Sequence, residues 1–175
     1  MLRIGIDFDN TIVDYRPVFA SAATGIVGGK IDVRDALRAQ AGGEEKWQEL
    51  QAHVYGVAIA EAPAFEGFEV FVATARERGA ELYIVSHKSQ FAAARPEGPD
   101  LREAARTWLH ARKISVDGVY FEDTRQAKVS RIASLGLSHF IDDLEEVLRD
   151  PGFPASTRAI CFRDSWDEVR RDVLG

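Results

Sequence analysis

The 175-residue chain is 46% hydrophobic and 29% charged, an ordinary globular composition and enough length for one core with a small insert. Its net charge is −6, and its densest basic cluster, Arg163 to Arg171, is interleaved with acids like a solvated helix face, which argues against a nucleic-acid polymer as partner. No apolar run approaches the roughly 18 residues of a membrane span, and the single cysteine, Cys161 in an apolar run, excludes an internal disulfide and reads as a buried structural thiol in a reducing, cytoplasmic setting.

Residues 2–7 are the first predicted strand. Ile4-Gly5-Ile6 delivers Asp7 and, after Phe8, Asp9. These acids interrupt any signal-peptide core. A buried strand has no structural reason to end in two carboxylates, because unpaired buried charge is costly, so the pair points to a metal or to acid/base chemistry. Residues 14–60 are Ala-rich and contain no convincing strand. Their periodicity predicts helices at about 15–26, 32–40 (with Asp32 as N-cap) and 44–60, closed by the turn signal at 62–67.

Strands and helices then alternate. A helix is predicted over 67–79 with Gly79 as its stop, a strand over 81–86, and a Pro- and Gly-bearing loop over 88–99, longer than a typical connection. Asp100 caps a predicted helix to about Arg112. A strand at 118–121, a helix at 125–135 stopped by Gly136, a strand at 139–142 and a helix at 143–149 follow. The last strand is 159–162 and the last helix 164–173, capped by Asp164 or Ser165. Five short apolar strands separated by helices predict an α/β fold, a Rossmann-like doubly wound parallel sheet. Ligands in such sheets bind beyond the carboxyl ends of the strands, where Asp7, Ser86 and the Asp142-Asp143 pair all fall.

Hard oxygen ligands at this density suit Mg²⁺ better than Zn²⁺, and His53, His87, His110 and His139 show no zinc-binding spacing. A divalent cation among carboxylates commonly serves a phosphoryl group, which also needs hydroxyl and amide donors and a fixed positive charge. Ser86 and the backbone after it supply the donors, and a lysine is required.

The arrangement resembles the haloacid dehalogenase-like (HAD) superfamily of phosphohydrolases across nearly the whole chain. The matching motifs are Asp7-Phe8-Asp9-Asn10-Thr11, then Ser86 after Leu82-Tyr83-Ile84-Val85, then Lys128 in RQAKVSRI, then Asp142-Asp143 after His139-Phe140-Ile141. The resemblance implies Asp7 as a nucleophile that forms an aspartyl-phosphate, and Asp9 as the acid that protonates the leaving alcohol and then activates water. It implies Mg²⁺ on the Asp7 carboxylate, the Asp9 backbone carbonyl and one of the final pair, with Asp143 as direct ligand and Asp142 supporting it. Ser86, the His87 backbone amide and Lys128 would bind the phosphoryl group, with Lys88 the rival lysine and Thr11 bracing the loop. Asn10 stands where the family often has Gly, which is tolerable because Asn accepts a left-handed backbone. Asp9 argues for phosphate esters over carbon–halogen chemistry, since halide needs no proton on leaving.

The resemblance also makes residues 15–65 a small helical cap on a core of 1–14 and 66–175. Tyr15, Arg16, Trp47, His53 and Tyr55 are candidates to meet substrate from the insert, and His87, Lys88 and Arg95 from the long loop. The expected activity is Mg²⁺-dependent hydrolysis of a small phosphorylated metabolite, a sugar phosphate or a nucleotide. A phosphomutase or phosphotransferase of the same fold and a non-catalytic phosphate-binding module are the alternatives.

Overall fold

Among the described residues, five parallel strands form the sheet: β1 (Arg3–Ile6), β2 (Glu81–His87), β3 (Gly118–Glu122), β4 (His139–Asp142) and β5 (Arg158–Cys161), in the order β3-β2-β1-β4-β5. The computed structural model describes residues 1–23, 33–40, 42–93 and 96–175. The expected Asp32 cap and Arg95 lie outside the described residues, as does the end of the helix expected at 15–26. The chain starts mid-sheet, winds outward through β2 and β3, then crosses to β4 and β5. The winding reverses between β1 and β4, so the switch point lies between the strands that end in Asp7 and Asp142. The doubly wound parallel sheet is therefore present as the sequence predicts.

Two compact units are distinguishable, Met1–Asp14 with Ala64–Lys88 and Lys113–Gly175, and Tyr15–Pro63 with Ser89–Arg112. In the first, α4 (Phe68–Glu77), α6 (Arg125–Ser134), α7 (Glu145–Leu148) and α8 (Trp166–Leu174) accompany the sheet. Tyr83 and Val85 of β2 and Phe140 of β4 share a cluster with Val129 and Ile132 of α6 and Val147 of α7. Side chains alternate across a strand, so Leu82, Ile84 and Ser86 take the opposite face. Gly5 faces the α6 side with no room for a larger residue: a Cβ there would meet Leu137, and Phe140 at 2.6 Å. Thr124 caps α6 by accepting from Ala127 N at 3.0 Å, and Gly136, at φ 57°, ends it in the left-handed region that glycine tolerates. Ser165, not Asp164, caps α8.

The described residues of the second unit form α1 (Arg16–Ala23), α2 (Val33–Arg38), α3 (Gly43–Gly56), a 3₁₀ turn (Ala58–Glu61) and α5 (Leu101–Ala111). The single helix expected over 44–60 is thus two pieces. Asp100 caps α5, accepting from Arg102 N and Glu103 N, both at 2.9 Å. The sequence places 66–175 together in the core, whereas Ser89–Arg112 joins this helical unit. The reason is tertiary: Trp108 Nε1 and an Arg112 guanidinium nitrogen both donate to the Ala62 carbonyl, at 2.9 and 2.6 Å, and α5 packs on α3 and the 3₁₀ turn.

An aromatic cluster anchors the Asp7–Thr11 loop from below. Trp166, fully buried, packs on Phe68, Phe71 and Phe162 at ring-centroid distances of 4.9, 4.8 and 5.3 Å. Its indole nitrogen donates to the Thr11 carbonyl at 3.0 Å. Trp166→Phe keeps the aromatic packing but orphans that buried carbonyl. It is expected to cost about 1–3 kcal/mol in urea unfolding, and an unchanged midpoint would refute the anchoring role.

Candidate active site

Strand parity explains the site. The Asp7 amide donates to the Ile141 carbonyl at 2.9 Å, which carries the β1 ladder one residue past the strand. Asp7 then shares the parity of Gly5, and Asp142 that of Phe140, so both carboxylates emerge on the α6 face. Lys128, in the second turn of α6, reaches both: Nζ lies 2.6 Å from Asp7 Oδ1 and 2.6 Å from Asp142 Oδ2. All three are buried, at 5% exposure for Asp7, 0% for Asp142 and 1% for Lys128.

Asp142 is held on both oxygens, since Oδ1 also accepts from Leu144 N at 2.9 Å. This local turn keeps Asp143 and Leu144 out of the helix expected to start at 143, and α7 begins at Glu145. Asp143 is thereby turned into the cavity, with Oδ1 accepting from the Thr11 hydroxyl at 3.3 Å. Thr11 itself is fully buried. Asn10, at φ 60°, makes the left-handed turn of the loop.

A cavity of about 390 Å³ lies over this floor, lined by Asp7, Asp9, Ser86, His87, Lys128 and Asp143, with Asn10, Arg125, Leu144, Glu146 and Val147 completing the wall. Ser86, 1% exposed, ends β2 on the face opposite Val85. The His87 ring is exposed, with Nε2 3.0 Å from the Asp123 carbonyl. Lys88 is not on the wall. It is 3% exposed, and its Nζ lies 2.9 Å from both carboxylate oxygens of Asp9. The two lysines weighed from sequence therefore hold different carboxylates.

Arg125 and Glu146 escaped the sequence reading. Arg125 stands three residues before Lys128, one turn along the same helix face, and that spacing was a usable signal. Its guanidinium pairs with Glu146 at 3.2 Å and Asp150 at 3.7 Å. Among the insert candidates, Tyr15 and Tyr55 pack edge to face at 4.7 Å, and Trp47 stacks on Phe19 at 5.4 Å, so these rings serve the helical unit's own core. Arg16 and His53 are exposed on α1 and α3. Cys161 is half-buried on the edge strand β5 rather than fully buried.

Electrostatically the floor carries more negative charge than it can balance. Oxygens of Asp7, Asp142 and Asp143 lie within 4.8 Å of one another, and among the described residues the Lys128 ammonium is set against them. Burial pushes the Asp7 carboxyl up to about 6, with Lys128 opposing and Asp142 adding to the rise. Burial and then the Asp7 charge push Asp143 up to about 6. Burial also raises Asp142. Burial works against the Lys128 charge, but the two carboxylates overcome it and its pKa is raised. An all-oxygen cluster with excess negative charge fits a hard divalent cation.

No protein-family model and no curated protein sequence matches this chain. Solved structures do. A hydrolase from Streptococcus pneumoniae TIGR4 superposes with a TM-score of 0.66 at 14% identity, over 99% of this chain and 98% of that one. A haloacid dehalogenase-like family hydrolase from Streptococcus pneumoniae gives 0.62 at 16% identity, over 98% of each. This chain has the HAD fold. Protein Tyrosine Kinase A from Mycobacterium tuberculosis is similar too, with a TM-score of 0.59 at 16% identity over 98% of this chain and 97% of that one. The HAD fold is thus shared by proteins described as hydrolases and as a kinase, and the chemistry has to be argued from the site.

The raised carboxylates make a pH prediction for the metal-free protein. The Asp143 pKa is raised from 3.8 to about 6, so its favourable contribution is complete below 3.8 and is lost as pH rises through about 6. Asp143→Asn, neutral throughout, should therefore be more stable than the wild type at pH 7.5 in EDTA, by about 1 kcal/mol after discounting for solvent screening. The gain should shrink towards pH 4. Thermal melts across that range check it, and a pH-independent difference would contradict the electrostatic origin.

Proposed function

We propose that this protein is an Mg²⁺-dependent phosphatase that hydrolyses a small phosphomonoester, a sugar phosphate or a nucleotide, through an aspartyl-phosphate on Asp7. One observation carries the reading: the buried Asp7 carboxylate, held by a lysine and crowded by two further carboxylates, opens into a cavity that Asp9 and Ser86 also line.

Lys128 holds Asp7 Oδ1, which orients the carboxylate for attack on phosphorus. As the new Asp7–phosphorus bond forms, the bond to the ester oxygen breaks and Asp9 gives that oxygen its proton. Asp9 then takes a proton from the water that attacks phosphorus and releases Asp7. In this reading Ser86 donates to the transferring phosphoryl oxygens, and the Lys128 ammonium offsets charge that develops on them. Asp143 and Asp7 are the residues that would hold Mg²⁺, with Asp142 behind them because both its oxygens are already engaged. When bound, the ion supplies positive charge to neutralise the phosphoryl group and the acidic floor. Thr11 braces Asp143 instead of contacting phosphate in this reading. The helical insert, with Arg16 among its exposed residues, is assigned the choice of substrate, as the family resemblance implies.

p-Nitrophenyl phosphate should be hydrolysed in the presence of Mg²⁺ and not in EDTA. Asp7→Asn should lower kcat by on the order of 10⁴-fold or more with circular dichroism unchanged. Absence of turnover across a broad panel of phosphate esters, or substantial activity in Asp7→Asn, would sink the reading. Ranking phosphorylated metabolites by kcat/KM identifies the substrate.

A further inference from the structure

Lys88 has no role in the steps above, yet among the described residues it is one of the few ionisable side chains that the fold buries. A buried ammonium requires a counter-charge, and here it is the Asp9 carboxylate, gripped at 2.9 Å on each oxygen. The lysine is rigidly mounted. Its backbone nitrogen donates to the Glu122 carbonyl at 3.0 Å, which continues the β2–β3 ladder one residue beyond His87. It stands two residues after Ser86, so it leaves the sheet on the same face. Its Nζ is 5.5 Å from the ring centroid of Phe8, the fully buried residue between the two aspartates. Asp9 lines the cavity and Lys88 does not, so the lysine approaches the carboxylate from the protein side.

We propose that Lys88 is a positioning residue: it fixes the Asp9 carboxylate in the orientation that meets the ester oxygen, and it makes no contact with the phosphoryl group. This rests on the phosphatase reading. A short carboxylate turning freely about two side-chain bonds would spend little time within the 2.6–3.2 Å that proton transfer needs, and displacement by about 1 Å can cost 100-fold. Two contacts to a buried, ladder-anchored ammonium remove that freedom. When Asp9 carries the proton for the leaving group, the proton sits on one oxygen while the lysine holds the other. The proton passes from Asp9 to the departing ester oxygen as the phosphorus–oxygen bond breaks.

The role has a signature that a merely structural residue lacks, because only poor leaving groups need the proton. The experiment compares kcat/KM for β-glycerol phosphate and for 2,4-dinitrophenyl phosphate, with Mg²⁺, in the wild type, Lys88→Met, Lys88→Arg and Asp9→Asn. Lys88→Met should lose about 100-fold on the alkyl ester and no more than about 5-fold on the dinitrophenyl ester, in the same pattern as Asp9→Asn, with partial rescue in Lys88→Arg. Inhibition by inorganic phosphate should stay within about 3-fold of wild type, since ground-state binding is untouched. Equal losses on both esters, no loss on either, or a tenfold weaker grip on inorganic phosphate each overturn the positioning role. If Lys88→Met fails to fold by circular dichroism, Lys88→Arg and Lys88→Gln carry the same comparison. A wild-type enzyme that turns over neither ester overturns the phosphatase reading and this proposal with it. Wild-type turnover with losses independent of the leaving group overturns this proposal alone.

Discussion

The contact on which the site depends is the Lys128 ammonium lodged between Asp7 and Asp142, at 2.6 Å from each. It ties the ends of the two strands that flank the switch point to the helix packed over them. None of the three charges could be buried alone, since an isolated buried ion costs several kcal/mol, and removing one partner of such a cluster is far more damaging than the cluster's net worth suggests. The cluster is therefore better understood as a device for fixing a buried carboxylate than as a source of stability. Its price is visible in the raised pKa of Asp7 and Asp143, which leaves the floor receptive to a cation.

That contact exists because of register. β1 and β4 are adjacent and parallel, with Ile6 opposite Ile141, and each strand delivers its terminal carboxylate with the parity that faces α6. A slip of one residue in either strand would turn the carboxylate to the other face of the sheet. The Trp166 bond to the Thr11 carbonyl and the left-handed Asn10 then fold the Asp loop back so that Asp9 joins the cavity. The Asp142–Leu144 turn does the same for Asp143. Local hydrogen bonds at strand ends thus aim each carboxylate that the sheet brings to its edge.

The two lysines divide the two loop aspartates between them. Lys128 grips Asp7 from a helix on one face, and Lys88 grips Asp9 from the extension of β2 on the other. Two carboxylates separated by one residue in sequence are thus set against different lysines on opposite faces of the sheet.

Much of this was legible in the sequence. Apolar runs bounded by helix caps and glycine stops determined the five strands and their alternation with helices, and strand-terminal Asp7, Ser86 and Asp142-Asp143 marked the edge where a ligand would bind. Those signals are local, because periodicity and capping act within a few residues. What lay outside local pattern was decided by the tertiary structure. Which lysine meets which aspartate depends on the packing of α6 and the reach of β2, more than 70 residues from the Asp loop in sequence. Whether α5 belongs with the sheet or with the helical unit turned on Trp108 and Arg112 reaching the Ala62 carbonyl. Arg125 and Glu146 became cavity walls only when α6 and α7 were placed side by side over the strand ends. The sequence by itself determined which groups the site could contain. The fold decided their partners, because a buried charge finds its counter-ion across distances that no sequence window spans.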